Sequence, residues 1–153
     1  MNVMLRSSIL YACETYFNLK ETEVRQIERI EESFMRQLLN TTKGCPINQI
    51  YLELGQIPAR FDIIKLRLLY LKYILNQEEN SLILKVFILQ IEKPTKFDWA
   101  STCRNNLKLL DINLSFEDIK KWPWTDIITL WKINAEKVHT NIWWRKGALR
   151  GVR

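Results

Sequence analysis

The chain has 153 residues, 47% hydrophobic and 26% charged, a balance ordinary for one soluble globular domain, which at this length buries about 68–70% of its unfolded surface. Its net charge of +6 is uneven: residues 140–153 hold Arg145, Lys146, Arg150 and Arg153 with no acid, leaving +2 for everything before. Four glycines disfavour turn-rich β architectures and any phosphate loop built on several glycines.

Val3 to Phe17 opens with Leu5, Ile9, Cys13 and Tyr16 at the spacing of a helical face. Asn18 reads as an N-cap with Glu21 three residues on, a variant of the capping box. The helix that follows, to Asn40, takes Val24, Ile27, Ile30, Phe34 and Leu38 as its buried stripe. Glu21 with Arg25, and Glu32 with Arg36, are favourable pairs four residues apart on its outer faces.

Asn40 to Pro46 has loop composition, and Pro46 opens a short helix that Gly55 stops. Arg60 to Leu75 is the core helix, with Pro58 in its first turn. At about 100° per residue its apolar side chains reach nearly all the way round, the mark of a helix covered on several sides. Leu69 falls between apolar neighbours and is expected in the core; Arg60 with Arg67, and Lys65 with Lys72, form narrow cationic seams in which Lys65 is solvated. Leu82 to Ile91 is strand-like in composition, but its capped start and helical neighbourhood favour helix, with Pro94 beyond its end. Asp98 caps a helix carrying Trp99, Cys103, Leu107 and Leu110, and Ser115 with Asp118 marks another capping box. After Pro123, a last helix carries Ile127, Ile128, Trp131, Ala135 and Val138. Residues 140–153 form a basic, flexible tail after a helical domain of residues 1–139.

Cys13, Cys45 and Cys103 lack the short spacing of a zinc site, and His139 is the sole histidine, so no metal or cofactor is expected. The thiols read as reduced and structural, those of an intracellular protein of nucleus or cytoplasm. No signal peptide is legible, and Leu82 to Ile91 is too short to span a bilayer, so neither secretion nor a membrane is expected. The adjacent carboxylates Glu78-Glu79 and Glu117-Asp118 point about 100° apart on a helix and make no shared acid–base site.

Cations leave two readings open. Arg25, Arg29 and Arg36, with Lys43, could track a phosphate backbone, but Glu21, Glu28, Glu31 and Glu32 interleave with the arginines as in a salt-bridged surface. Trp143, Trp144, Arg145 and Lys146, followed by Arg150 and Arg153, combine aromatic faces with charge as single-strand binders do, or form a disordered or out-of-context terminus.

Ser8-Ile-Leu-Tyr-Ala-Cys-Glu-Thr-Tyr16 resembles the Ser-x-Leu-Tyr-Gly/Ala-x-Glu-x-Trp/Tyr motif that follows the catalytic palm in reverse transcriptases of non-LTR (LINE-type) retrotransposons. Ile27-Glu-Arg-Ile-Glu31, Arg36-Gln-Leu-Leu39, Leu54-Gly55 and Pro58-Ala-Arg60 follow in matching order, so the resemblance covers roughly residues 5 to 121. The family's Tyr/Phe-x-Asp-Asp pair, its Cys-Cys-His-Cys knuckle and the Pro-Asp pair of its endonuclease-bearing members are absent. The resemblance therefore implies a non-catalytic thumb/connector fragment. Its implied partners are RNA or DNA, as a template–primer, and a separate palm-bearing polypeptide. The expectation is an all-α fold, a single compact bundle-like domain around a buried core helix. The competing expectation is a helical protein–protein interaction module, or a decayed remnant without independent function. A continuous basic groove would favour nucleic acid, and an exposed Leu/Ile patch a protein partner.

Overall fold

The computed structural model describes residues 6–8, 10–15, 19–96 and 98–148, with side chains as far as Asn141 in the last helix. Among the described residues, after a helical segment at 6–8, seven helices follow in order: α1 (Glu21–Leu38), α2 (Ile47–Glu53), α3 (Ala59–Leu75), α4 (Leu82–Glu92), α5 (Trp99–Leu109), α6 (Phe116–Lys121) and α7 (Trp124–Ala148). No strand occurs among the described residues. The fold is all-α and compact.

Helix α3 is its centre, packed against α1, α4, α5, α6 and α7. Phe61, Ile64, Leu68, Leu71 and Ile74 enter the main core, while Ala59 and Ile63 enter a second cluster with Leu10 and Cys13. Two cores on different sides explain why α3 has no single apolar stripe. Leu69 departs from expectation: it is half-buried, whereas Leu68 and Leu71 are buried. Leu69, Tyr73 and Asn76 fall four and three apart, and that stripe faces outward, Tyr73 and Asn76 being exposed.

Local chemistry sets most helix ends. Asn40, Gly55 and Asp111 adopt positive φ just past α1, α2 and α5. There the amides of Thr41, Gln56 and Ile112 reach back to the carbonyls of Arg36, Tyr51 and Leu107 at 3.0, 2.9 and 2.9 Å, the Schellman arrangement. The Asp98 carboxylate accepts from the Ser101 amide at 2.6 Å, and Ser115 and Asp118 exchange reciprocal bonds of 3.1 and 3.0 Å, as expected. Pro46 and Pro58 occupy the N-cap positions of α2 and α3, so Pro58 precedes the first turn instead of lying in it.

Four expectations are corrected. The N-cap of α1 is Lys20, whose amide donates to the Glu23 carboxylate at 2.8 Å; Asn18 lies outside the described residues. The buried face of α1 is Glu28, Glu31 and Met35, with Val24, Ile27 and Phe34 half-buried and Ile30 and Leu38 exposed. The amino-terminal stretch is helical at residues 6–8 but turns at 10–15, with Ala12 at φ 57°. Glu14 there gives its carbonyl to the Trp99 indole N–H at 2.9 Å. Leu5, Ile9 and Tyr16 lie outside the described residues. Finally, α7 runs through the expected boundary at residue 139 to Ala148, so a tail starting at 140 is not what the backbone does there. Thr140 continues the helix, its hydroxyl bonded to the Glu136 carbonyl at 2.8 Å.

Candidate functional site

Of the cations expected to meet nucleic acid, Arg25 and Arg36 are engaged by the protein itself. Arg25 pairs with Glu28 at 3.2 Å and Glu32 at 2.9 Å, not with Glu21. Arg36 donates to the carbonyls of Thr42 at 3.0 Å and Cys45 at 2.8 Å, holding the loop after α1 and not pairing with Glu32. Arg29 and Lys43 are exposed. The backbones of Trp143, Trp144, Arg145 and Lys146 belong to α7; their side chains, and all of Arg150 and Arg153, lie outside the described residues.

The seam cations of α3 point inward as well. Arg60 forks onto Glu28 at 2.5 and 2.8 Å and reaches Glu21 at 2.9 Å. The Glu28 bonds come first in keeping the Arg60 guanidinium charged, outweighing its burial. Burial pushes the Glu28 carboxyl up, but Arg60 and Arg25 outweigh it and hold it below its usual range. Lys65 is not in a solvated seam: it pairs with Asp62 at 3.0 Å and lies 4.6 Å from the centre of the Trp131 ring. Lys72 is buried and donates to the carbonyls of Ile119 at 3.2 Å, Lys120 at 3.0 Å and Trp122, which satisfies the open carbonyls at the end of α6. Arg67 is buried too, and burial lowers its pKa.

Glu31 is the polar centre that pattern reading missed. It is buried and accepts from Arg6, from the Tyr51 hydroxyl at 3.1 Å and from the Ala59 amide at 3.2 Å. Ala59 is the first residue of α3, so this carboxylate also meets the positive end of the helix. Burial outweighs those partners and holds the Glu31 carboxyl above its usual range. Arg6 further binds Asp62 and the Ile57 carbonyl, the latter at 2.6 Å, tying the amino-terminal stretch to α1 and α3. Arg6, Asp62 and Lys65 line an open cleft of about 500 Å³, but their charges are turned to one another. His139 lies edge-on to Tyr51 and Phe61, and burial lowers its pKa against the opposing pull of Glu28. The signal for this network was present: Val24, Glu28, Glu31 and Met35 step by four, three and four along α1, a seam as regular as the aliphatic one.

Cys13 and Cys103 are buried, Cys45 is half-buried, and none of the three forms a disulfide. Burial pushes the Cys103 thiol up to about 12, far from a reactive thiolate. Among the described residues no group of three or more His, Cys, Asp or Glu could hold a metal, and no helix is long and apolar enough to cross a membrane.

Helix α4 presents an apolar face to solvent. Leu82, Val86, Ile88 and Leu89 of α4 are exposed, beside a shallow groove of about 180 Å³ walled by Tyr70, Ile83, Val86 and Trp99. No protein family, curated protein or solved structure matches the chain.

Proposed function

We propose that the chain is a non-catalytic helical docking unit, a connector that works by binding a polypeptide and not by gripping nucleic acid along its helices. The observation that carries this reading is the opposite fate of charge and apolar surface. Arg25, Arg36, Arg60, Lys65 and Lys72 are bonded to the protein's own carboxylates or carbonyls, with Arg29 and Lys43 left exposed, whereas α4 leaves an aliphatic face in solvent. A buried or internally paired cation releases no counterions on meeting a phosphate backbone. Exposed aliphatic patches are a common mark of protein interaction sites. The resemblance to a thumb/connector supports the same role within an intracellular assembly containing a palm-bearing polypeptide. The missing Asp-Asp pair supports the absence of catalysis.

The carboxy-terminal cations are a second, subordinate route to RNA or DNA, because four of the six net positive charges sit there. Titration of labelled single-stranded RNA and DNA with the full chain, across salt concentrations, tests both readings. Neutralising Arg145, Lys146, Arg150 and Arg153 to alanine is expected to abolish whatever binding occurs. At about −0.7 per phosphate contact, these four charges supply a log K against log salt slope of at most about −3. Strong, salt-sensitive binding that survives the four substitutions would return the role to Arg25, Arg29, Arg36 and Lys43 and overturn the docking reading.

A further inference from the structure

We infer that the outward face of α4 is a self-association surface, on which α4 of a second copy packs antiparallel. This deepens the docking reading by naming the occupant.

Leu82, Val86 and Leu89 are 78%, 45% and 55% exposed, and with Lys93 they step by four, three and four along one stripe. That alternation is the seam two helices share when side chains of one enter the spaces of the other. The opposite side of α4 is fixed by Leu84 and Phe87 in the main core, so the stripe cannot turn inward. Lys85 and Glu92 are exposed, lie seven residues apart and run along one flank of the stripe. No ion pair among the described residues engages either one.

Charge then selects both the partner and its direction. When two copies of a helix pair antiparallel about a two-fold axis, the same flank of each comes together; when they pair parallel, opposite flanks meet. Antiparallel pairing sets Val86 against Leu89 of the second copy, and Leu82 against the stem of its Lys93. It also sets Lys85 opposite Glu92 twice. Parallel pairing would set the Lys85 flank against the flank of Ile83 and Gln90, which has no charge to match. The face is thus complementary to itself, as a two-fold interface requires. Because one short helix forms the seam, the pairing is reversible and concentration-dependent, unlike that of permanent dimers.

Sedimentation equilibrium of the full chain over a wide concentration range is the test, with circular dichroism as the folding control for each variant. The chain is expected to show a monomer–dimer equilibrium that Val86→Glu with Leu89→Glu abolishes. Lys85→Glu alone and Glu92→Lys alone each place like charges opposite one another and should weaken association by about tenfold or more. Combining both reversals restores it. A monomer at every concentration, or a dimer indifferent to Val86→Glu with Leu89→Glu, would overturn the inference. A combined reversal as weak as either single change would overturn its antiparallel register. None of these results alters the nucleic-acid titration, on which the docking reading separately stands.

Discussion

Leu71→Ala lowers the stability of the chain by about 2–5 kcal/mol, the range for a buried leucine that leaves a cavity. Leu71 has no exposed surface and stands in the carboxy-terminal half of α3, within the main core. Against a typical domain margin of about 5–15 kcal/mol, such a loss is a large share of the stability. Leu69→Ala is the matched control two residues earlier, on the half-open stripe with Tyr73 and Asn76. It should cost clearly less, because neighbouring side chains and water can fill the space it vacates. Urea unfolding of both variants reads this difference in the midpoint at unchanged slope. A larger shift for Leu69→Ala than for Leu71→Ala would mean that α3 is rotated from the orientation described.

Glu31→Ala ranks beside it, at about 3–5 kcal/mol, because it breaks a buried ion pair by removing one partner. The change strips Arg6 of one of its two carboxylates and leaves the Tyr51 hydroxyl and the Ala59 amide without their acceptor. Glu31→Gln keeps an oxygen acceptor but no charge and should fall between wild type and alanine. Thermal or urea unfolding with the exposed Glu79→Ala as reference checks the order. If Glu31→Ala costs no more than Glu79→Ala, the buried network does not exist as described.

Much of the fold was legible because its punctuation is local. Asp98, Ser115 with Asp118, Pro46 and Gly55 each act on amides or carbonyls a few residues away, and all four mark helix ends. The core role of α3 was legible for another reason: only a helix covered on several sides tolerates aliphatic residues all round. The orientation of α1 was not. A pattern rule assigns carboxylates to water, and here Arg6 and Arg60 meet Glu31 and Glu28 across 25 and 32 residues of sequence. The spacing of Val24, Glu28, Glu31 and Met35 marks a second seam on α1, but it does not say which guanidinium will arrive from elsewhere to meet it. Arg25 and Arg36 misled for the same reason, since a helical face of arginines looks alike whether it meets phosphate, carboxylate or a neighbouring loop carbonyl. The open face of α4 was hidden too: apolar on most sides, α4 announces burial, and only the packing of Leu84 and Phe87 reveals which side remains outside. The reach of α7 to Ala148 was obscured by a change of composition at residue 140 that the backbone ignores.

The measurement that bears most directly on the inward commitment of the cations is Arg60→Gln, read both for stability and for affinity to single-stranded RNA. Combined with Glu28→Gln in a double-mutant cycle, it should give a coupling of about 0.5–3 kcal/mol, as for residues sharing one ion-pair network. Affinity for RNA should stay within about twofold, well under the 1.4 kcal/mol that a tenfold change represents. Coupling near zero together with a tenfold or greater loss of affinity would contradict the account, and would make Arg60 a ligand of nucleic acid and not a brace of the fold.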